Sequence, residues 1–211
     1  MEEHATYKSH WDQVYKTKKD EALGWYETDL SPTLNLIEKT QLGPDARLLN
    51  VGAGTTTLID ALIAQGFTSI LANDISPAAL ESLETRIKTQ YQQNITCIED
   101  DLSNPKILNN IAPVDLWIDR AVLHFFNEHH EQDAYFKLLN TLVKPQGFAL
   151  IAVFALNGAE TCCALPVKRY STEDLQLKLS PDFTLISSFN YTFINPFGGE
   201  RPYIYTLFQK H

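Results

Sequence analysis

The stretch Leu48-Leu49-Asn50-Val51-Gly52-Ala53-Gly54-Thr55-Thr56 constrains this chain more than any other. Apolar residues flank a single polar Asn, the chain breaks into a glycine turn, and it restarts as Thr57-Leu58-Ile59-Asp60-Ala61-Leu62. That is the pattern of a buried strand, a tight turn and a helix start, where bare backbone can approach a nucleotide closely. Such a turn serves several nucleotide-like cofactors, or none, so the residues further along have to decide.

Strand and helix signals alternate around it. Tyr7, Trp11, Val14 and Tyr15 make one aromatic stripe of a helix over residues 5–19, and Leu23-Gly24-Trp25-Tyr26 interrupts it. Ser31-Pro32 supplies an N-cap and first-turn proline for a second helix ending before Gly43-Pro44. Strands are expected at residues 47–51, 69–73, 95–98, 115–119 and 148–154, with helices between them; one stops at Gly66, one opens at Ser76-Pro77 and one follows His129. Ser171-Thr172-Glu173-Asp174 resembles a capping box, and two long strands, 183–194 and 203–208, close the chain. The expectation is an α/β fold: a doubly wound, mostly parallel seven-stranded sheet with helices on both faces and a C-terminal antiparallel hairpin. No linker, repeat or low-complexity tract divides it. One domain over 1–211 is expected, with an N-terminal helical lid over 1–43 and a Rossmann-like core over 44–211.

Composition narrows the function classes. With 211 residues, 44% hydrophobic and 20% charged, the chain can bury an ordinary core. Lys, Asp, Asn or Pro interrupts every apolar run before it reaches a membrane span, and Met1-Glu2-Glu3-His4 lacks a secretory pattern. A formal charge of −9 argues against nucleic acid and anionic membranes as partners. Cys97, Cys162 and Cys163 show no metal-ligand spacing and suit a reducing cytoplasm, the expected location; no metal is expected.

At successive strand ends stand Gly52-Ala53-Gly54, Asp74, Asp101 and Asp119-Arg120, and ligands of open α/β sheets bind in the crevice there. Asp74 lies one strand-helix-strand unit beyond the turn, where a carboxylate can accept ribose hydroxyls; Ser76 takes the helix-cap role and should leave that carboxylate free. With these residues the sequence resembles the class I methyltransferases that use S-adenosylmethionine (SAM) and release S-adenosylhomocysteine (SAH). The resemblance runs from Trp11 to the closing hairpin. The front end is similar to the thiopurine-type and certain protein-lysine methyltransferases through Trp11, Tyr15 and Tyr26, which in that group lie on a lid over SAM. The segment Asp115-Leu116-Trp117-Ile118-Asp119-Arg120-Ala121-Val122-Leu123-His124-Phe125-Phe126 is a further match, and it gives Arg120, by position, the methionine carboxylate of SAM. The tail Gly158-Ala159-Glu160-Thr161-Cys162-Cys163-Ala164-Leu165-Pro166-Val167-Lys168-Arg169-Tyr170 resembles one carried by many bacterial proteins.

The resemblance implies cofactor contacts at Trp11, Tyr15, Tyr26, Asn50, Gly52, Ala53, Gly54, Thr55, Asp74, Ile75, Asp101, Leu102 and Arg120, with Asp101 and Leu102 at the adenine. Two positions depart from the pattern. Asn50 replaces the usual acid and gives no charge to the SAM ammonium, a loss of about 1.5–3 kcal/mol if uncompensated. Thr56 replaces a third glycine.

Plainer readings stand beside these. The glycines could merely turn the chain, the aromatics could be core, Asp101 could be a solvated turn, and Arg120 could pair with Asp119. His124 is the candidate catalytic base near the acceptor, or else a core histidine. Trp25, Arg169 and Tyr170 are candidate substrate contacts. The segment after the fourth strand is not the Asn/Asp-Pro-Pro-aromatic box used on DNA bases, and a short lid leaves no protein-docking appendage. A small-molecule acceptor is therefore the preferred partner, with a protein lysine as the alternative. A nicotinamide-dependent dehydrogenase would want a glycine at Thr57, and a non-catalytic SAM-binding protein is the third reading.

Overall fold

Seven strands form one sheet in the order β3-β2-β1-β4-β5-β9-β8, the expected doubly wound arrangement. The computed structural model describes residues 2–211, with side chains from Tyr7 onward. Strands β1 (Arg47–Val51), β2 (Ser69–Asp74), β3 (Thr96–Glu99), β4 (Val114–Arg120) and β5 (Val143–Phe154) run parallel. β9 (Glu200–Lys210) runs antiparallel to β5 and to β8 (Phe183–Ile194). A two-stranded hairpin of β6 (Thr161–Cys162) and β7 (Leu165–Pro166), not expected from sequence, sits apart from this sheet.

The helices are α1 (Glu2–Thr17), α2 (Ser31–Lys39), α3 (Leu58–Ala64), α4 (Pro77–Tyr91), α5 (His129–Leu142) and α6 (Thr172–Leu179). Two apolar clusters, one on each sheet face, hold them. Leu36, Ile59, Leu62, Leu83 and Ile87 pack on one face, and Tyr135, Leu139, Leu142 and Leu175 on the other. The central strands read as apolar runs because both faces are covered.

Local chemistry explains the boundaries. Gly66, at φ 95, follows α3 as the expected left-handed residue. Ser76 caps α4 by accepting from the Ala79 N–H at 3.3 Å, and Ser171 caps α6 with Asp174. Ser31 is not a cap: Leu30 holds that position, and the Ser31 N–H donates to Asp29 Oδ1 at 3.0 Å, because Pro32 already occupies the first turn. β5 begins earlier than its apolar run. Its register against β4 shifts between Val114 and Leu116, and the extra Pro145-Gln146-Gly147 bulges out with Gln146 at φ 65.

Among the described residues no helix is long and apolar enough to cross a membrane, and no group of three or more His, Cys, Asp or Glu side chains is placed to hold a metal.

Candidate active site

β1 lies between β2 and β4, so the crevice where the strand order reverses opens at the carboxyl ends of these three strands. A cleft of about 990 Å³, partly open to solvent, occupies it. A second cavity of about 530 Å³ shares Trp25, Gly52 and Arg120 with it.

The glycine turn shapes the floor. Gly52 and Gly54 have φ 55 and 52, a conformation that side chains with a Cβ adopt at a penalty. A Cβ on Gly52 would stand 2.0 Å from Val122 Cγ2, and one on Gly54 would stand 2.3 Å from the Tyr15 hydroxyl. Asp74, at the end of β2, is 5% exposed. Contrary to the expectation of a free carboxylate, its Oδ2 accepts from the Gly54 N–H and its Oδ1 from the Ser76 N–H, both at 2.8 Å. The Ser76 hydroxyl caps α4, but the Ser76 amide still needs an acceptor, and Asp74 provides it. Burial outweighs these bonds and pushes the Asp74 carboxyl up to about 6.

The aromatic stripe of α1 lies over the cleft. Trp11 meets Trp25 and Phe125 edge-on, with ring centroids 5.5 and 5.0 Å apart, and Tyr15 meets Trp25 at 6.0 Å. Asp12 fastens the helix by accepting from the Ser76 hydroxyl at 3.1 Å and the Ala78 N–H at 3.2 Å. Tyr7, Trp11, Tyr15 and Trp25 all line the cleft, while Tyr26 lines the smaller cavity.

Strand alternation sends Asp119 and Arg120 in opposite directions, so they do not pair with each other. Asp119 is buried under α5 and accepts from Tyr135 Oη at 2.7 Å and from the Val122 and Leu123 N–H groups at 2.9 and 3.0 Å. Arg120 turns into the crevice. Its Nε lies 2.8 Å from Glu27 Oε1 as an ion pair, Nη1 donates to the Trp25 carbonyl at 2.9 Å, and its guanidinium lies over Phe193 and Tyr203. Burial raises the Glu27 carboxyl and Arg120 pulls it back, leaving it above the usual range. Asn50 faces the same cavity as Glu27, and its buried Oδ1 has no hydrogen-bond partner among the described residues.

His124 lies in a 3-10 turn at Leu123–Phe125 that the Asp119 carboxylate fixes. It is fully buried, stacks on Phe154 with centroids 4.5 Å apart, and neither ring nitrogen has a hydrogen-bond partner among the described residues. Burial, then the Arg120 charge, lowers its pKa to about 3, so the ring is neutral near pH 7.

Trp11, Tyr15, Trp25, Gly52, Asp74, Ile75, Asp101, Leu102, Arg120 and His124 thus meet in one cleft, and Tyr26, Asn50, Ala53 and Thr55 in the adjoining cavity. Gly54 lies beneath Tyr15. Two expected residues stand elsewhere. Arg169 pairs with the exposed Glu160 at 3.1 Å, and Tyr170 is buried in the core beneath α6. The backbone explains both, since Tyr170 donates its amide to the Phe154 carbonyl and runs along β5 rather than into the cleft. Sequence reasoning missed Glu27, Phe154, Arg201 and Tyr203. Period-two alternation along β9 puts Arg201 and Tyr203 on one face and would have found that pair; no local signal marks Glu27.

A family profile described as a methyltransferase domain matches residues 49–149. That match spans just under half of the chain, which is similar there to a methyltransferase domain. Mouse "EEF1A lysine methyltransferase 2" is 23% identical over 157 residues, which span 68% of this chain and 64% of the mouse protein. A SAM-dependent methyltransferase from Anabaena variabilis superposes with a TM-score of 0.76 at 15% identity, covering 99% of this chain and 95% of that one. A Burkholderia thailandensis 1,6-didemethyltoxoflavin-N1-methyltransferase, solved with 1,6-didemethyltoxoflavin and SAH bound, superposes at 0.68 with 17% identity, covering 98% and 86%. These two structures share the fold.

The residues present fit a SAM-type cofactor. The two left-handed glycines leave bare backbone at the turn, and Asn50 Oδ1 and Arg120 Nη2 are buried polar atoms in the cavity beside it, without hydrogen-bond partners among the described residues. Aromatic faces suited to a sulfonium cation close the cleft from above. The nicotinamide reading has no such support.

Proposed function

We propose that the domain transfers a methyl group from SAM to a heteroatom of a small molecule held between His124, Phe154, Tyr203 and the lid. Bound SAM supplies an activated methyl group on a sulfonium, so the chain's task is to align donor and acceptor and to exclude water. In this reading Gly52, Ala53, Gly54 and Thr55 cradle the cofactor, Asp74 and Ile75 take the ribose, Asp101 and Leu102 the adenine, and Asn50, Tyr26 and Arg120 the amino-acid end. Residues 1–43 act as a lid on a single domain, with Trp11 and Tyr15 excluding water. His124, neutral beside the acceptor, accepts a hydrogen bond from it and helps to orient it.

The charge of the acceptor end carries the small-molecule reading. Arg201 lines the cleft beside a neutral histidine. The nearby carboxylates Glu27 and Glu160 are already paired with arginines, and Arg201 forms no ion pair among the described residues. Such an end favours an uncharged or anionic ring over a lysine ammonium. The mouse relative's name favours the second reading, a protein lysine.

Titration calorimetry with SAH, using Asp74→Ala and Gly52→Trp as controls, tests the cofactor. Silence in the wild type, or binding untouched by both changes, rejects it. Labelled SAM incubated with fractionated lysate tests the acceptor, and label found only in macromolecular fractions favours the lysine.

A further inference from the structure

The amino-acid end of SAM carries a carboxylate and an ammonium on one carbon, so its pocket needs both signs of charge. The residue that usually supplies the negative one is Asn50 here, an amide whose Nδ2 is turned to the Val51 and Ile118 carbonyls at 3.4 and 3.3 Å. Its Oδ1 stays buried, unpartnered among the described residues, and it carries no charge.

A carboxylate nevertheless reaches this cavity from the lid. Glu27 lines it together with Asn50, Gly52, Thr55 and Arg120. Its side chain is 7% exposed, beside an Arg120 side chain that is 9% exposed. Three contacts hold the Glu27 segment there: the Thr57 hydroxyl donates to the Glu27 carbonyl at 3.3 Å, Tyr205 Oη donates to Glu27 Oε1 at 3.4 Å, and Arg120 Nη1 donates to the preceding Trp25 carbonyl. Beside the Arg120–Glu27 contact, Arg120 Nη2 is buried with no hydrogen-bond partner among the described residues.

We propose that Glu27 supplies the negative charge Asn50 lacks, so that the buried Glu27–Arg120 pair receives the zwitterionic end of SAM, ammonium on Glu27 and carboxylate on Arg120. A buried ion pair is a weak source of stability, because desolvation offsets its attraction; a zwitterion that meets both charges gives the pair a binding role. The pair also couples the lid to the cofactor, since Glu27 belongs to residues 1–43 while Arg120 ends β4. The proposal rests on the SAM reading above. Its rival is a Glu27 that merely occupies the anion site of Arg120 and must leave before SAM enters.

The two make opposite predictions. SAH and 5′-methylthioadenosine share the nucleoside, but only SAH carries the zwitterion, so calorimetry with both isolates the amino-acid end. With Glu27→Gln, SAH affinity should fall roughly ten- to a hundredfold, the range of one charge-assisted contact, while methylthioadenosine stays within about twofold. Asn50→Asp in the Glu27→Gln background should restore much of the lost SAH affinity. Unchanged or tighter SAH binding by Glu27→Gln would overturn the proposal, as would equal losses for both ligands or a silent Asn50→Asp. Failure of the wild type to bind either ligand would instead reject the SAM reading itself.

Discussion

The Tyr15 hydroxyl stands 2.3 Å from the point a Cβ on Gly54 would occupy, so the N-terminal helix rests directly on the glycine turn. Gly54→Ala therefore does two things. It places a non-glycine residue at φ 52, a penalty of about 1–2 kcal/mol, and it pushes Tyr15 off the turn. The melting temperature should fall by roughly 2–8 °C, and SAH affinity should fall with it. Tyr15→Phe in the same chain removes the oxygen and should recover part of the affinity but not the backbone penalty. Thermal melts and calorimetry on the two variants check both parts; full recovery of stability by Tyr15→Phe would refute the division.

Much of this arrangement is legible in the sequence. Strand ends fall where apolar runs meet Gly or Asp, so the crevice and its principal residues follow from one-dimensional patterns. Partners do not. Nothing near Glu27 announces that it will meet Arg120, because the contact joins a loop to a strand far along the chain. Arg169 misleads for the opposite reason: its place in a motif suggests the cleft, but pairing of the Tyr170 amide with Phe154 turns it outward to Glu160. The β6–β7 hairpin escaped notice because Cys163 and Ala164 form its turn at φ 51 and 63, where Gly or Asn is the usual signal. Its position puts Cys162 on the cleft wall.

Asp74 titrates against the usual direction for a carboxylate. Its folded value, about 6, exceeds the ordinary 3.8, so the folded state holds the proton more tightly between those values. The contribution is favourable at low pH and is lost as pH rises from about 4 to 6, by roughly 2–3 kcal/mol. The stability of wild type relative to Asp74→Asn should therefore drop between pH 4 and pH 7. Urea denaturation at both values measures it; a gap that is independent of pH would contradict the burial argument. In the proposed reading the ribose binds the ionised carboxylate, so SAH binding should weaken over the same window as the pH falls.

His124 behaves as a buried neutral imidazole with unsatisfied nitrogens. Its pKa is lowered from 6.5 to about 3, so the unfolded chain binds the extra proton between these values and stability is lost as pH falls through them. His124→Phe should remove that loss. It should also stabilise the ligand-free protein at pH 7 by about 1–3 kcal/mol, because two buried nitrogens without partners disappear next to Phe154. Turnover should fall at the same time, a stability gain at the expense of activity. Denaturation at pH 5 and pH 7 gives the first result and methyl transfer the second. An inflection near pH 6.5 that vanishes with His124 would show instead that the ring protonates in the folded enzyme.

Tyr135 sits at the centre of a buried relay that sets the position of His124. Its hydroxyl donates to Asp119 Oδ2 at 2.7 Å and accepts from Trp117 Nε1 at 3.1 Å, while Asp119 holds the amides of Val122 and Leu123. Tyr135→Phe keeps the ring contacts with Trp117 and Phe136 but leaves the indole N–H and one carboxylate oxygen without that partner. A loss of about 1–3 kcal/mol is expected, because the buried indole N–H loses its partner and the carboxylate oxygen, which keeps the Leu123 N–H, cannot replace the phenol with water. The Asp119 carboxyl already stands near 6 through burial, and without the phenol it should rise further, shifting the window in which it ionises to higher pH. Asp119→Asn should be less harmful in the Tyr135→Phe background than in the wild type, since the bond between the two is already gone. A double-mutant cycle by denaturation measures that coupling; additive losses would mean that Tyr135 and Asp119 act independently and that the relay does not hold the turn.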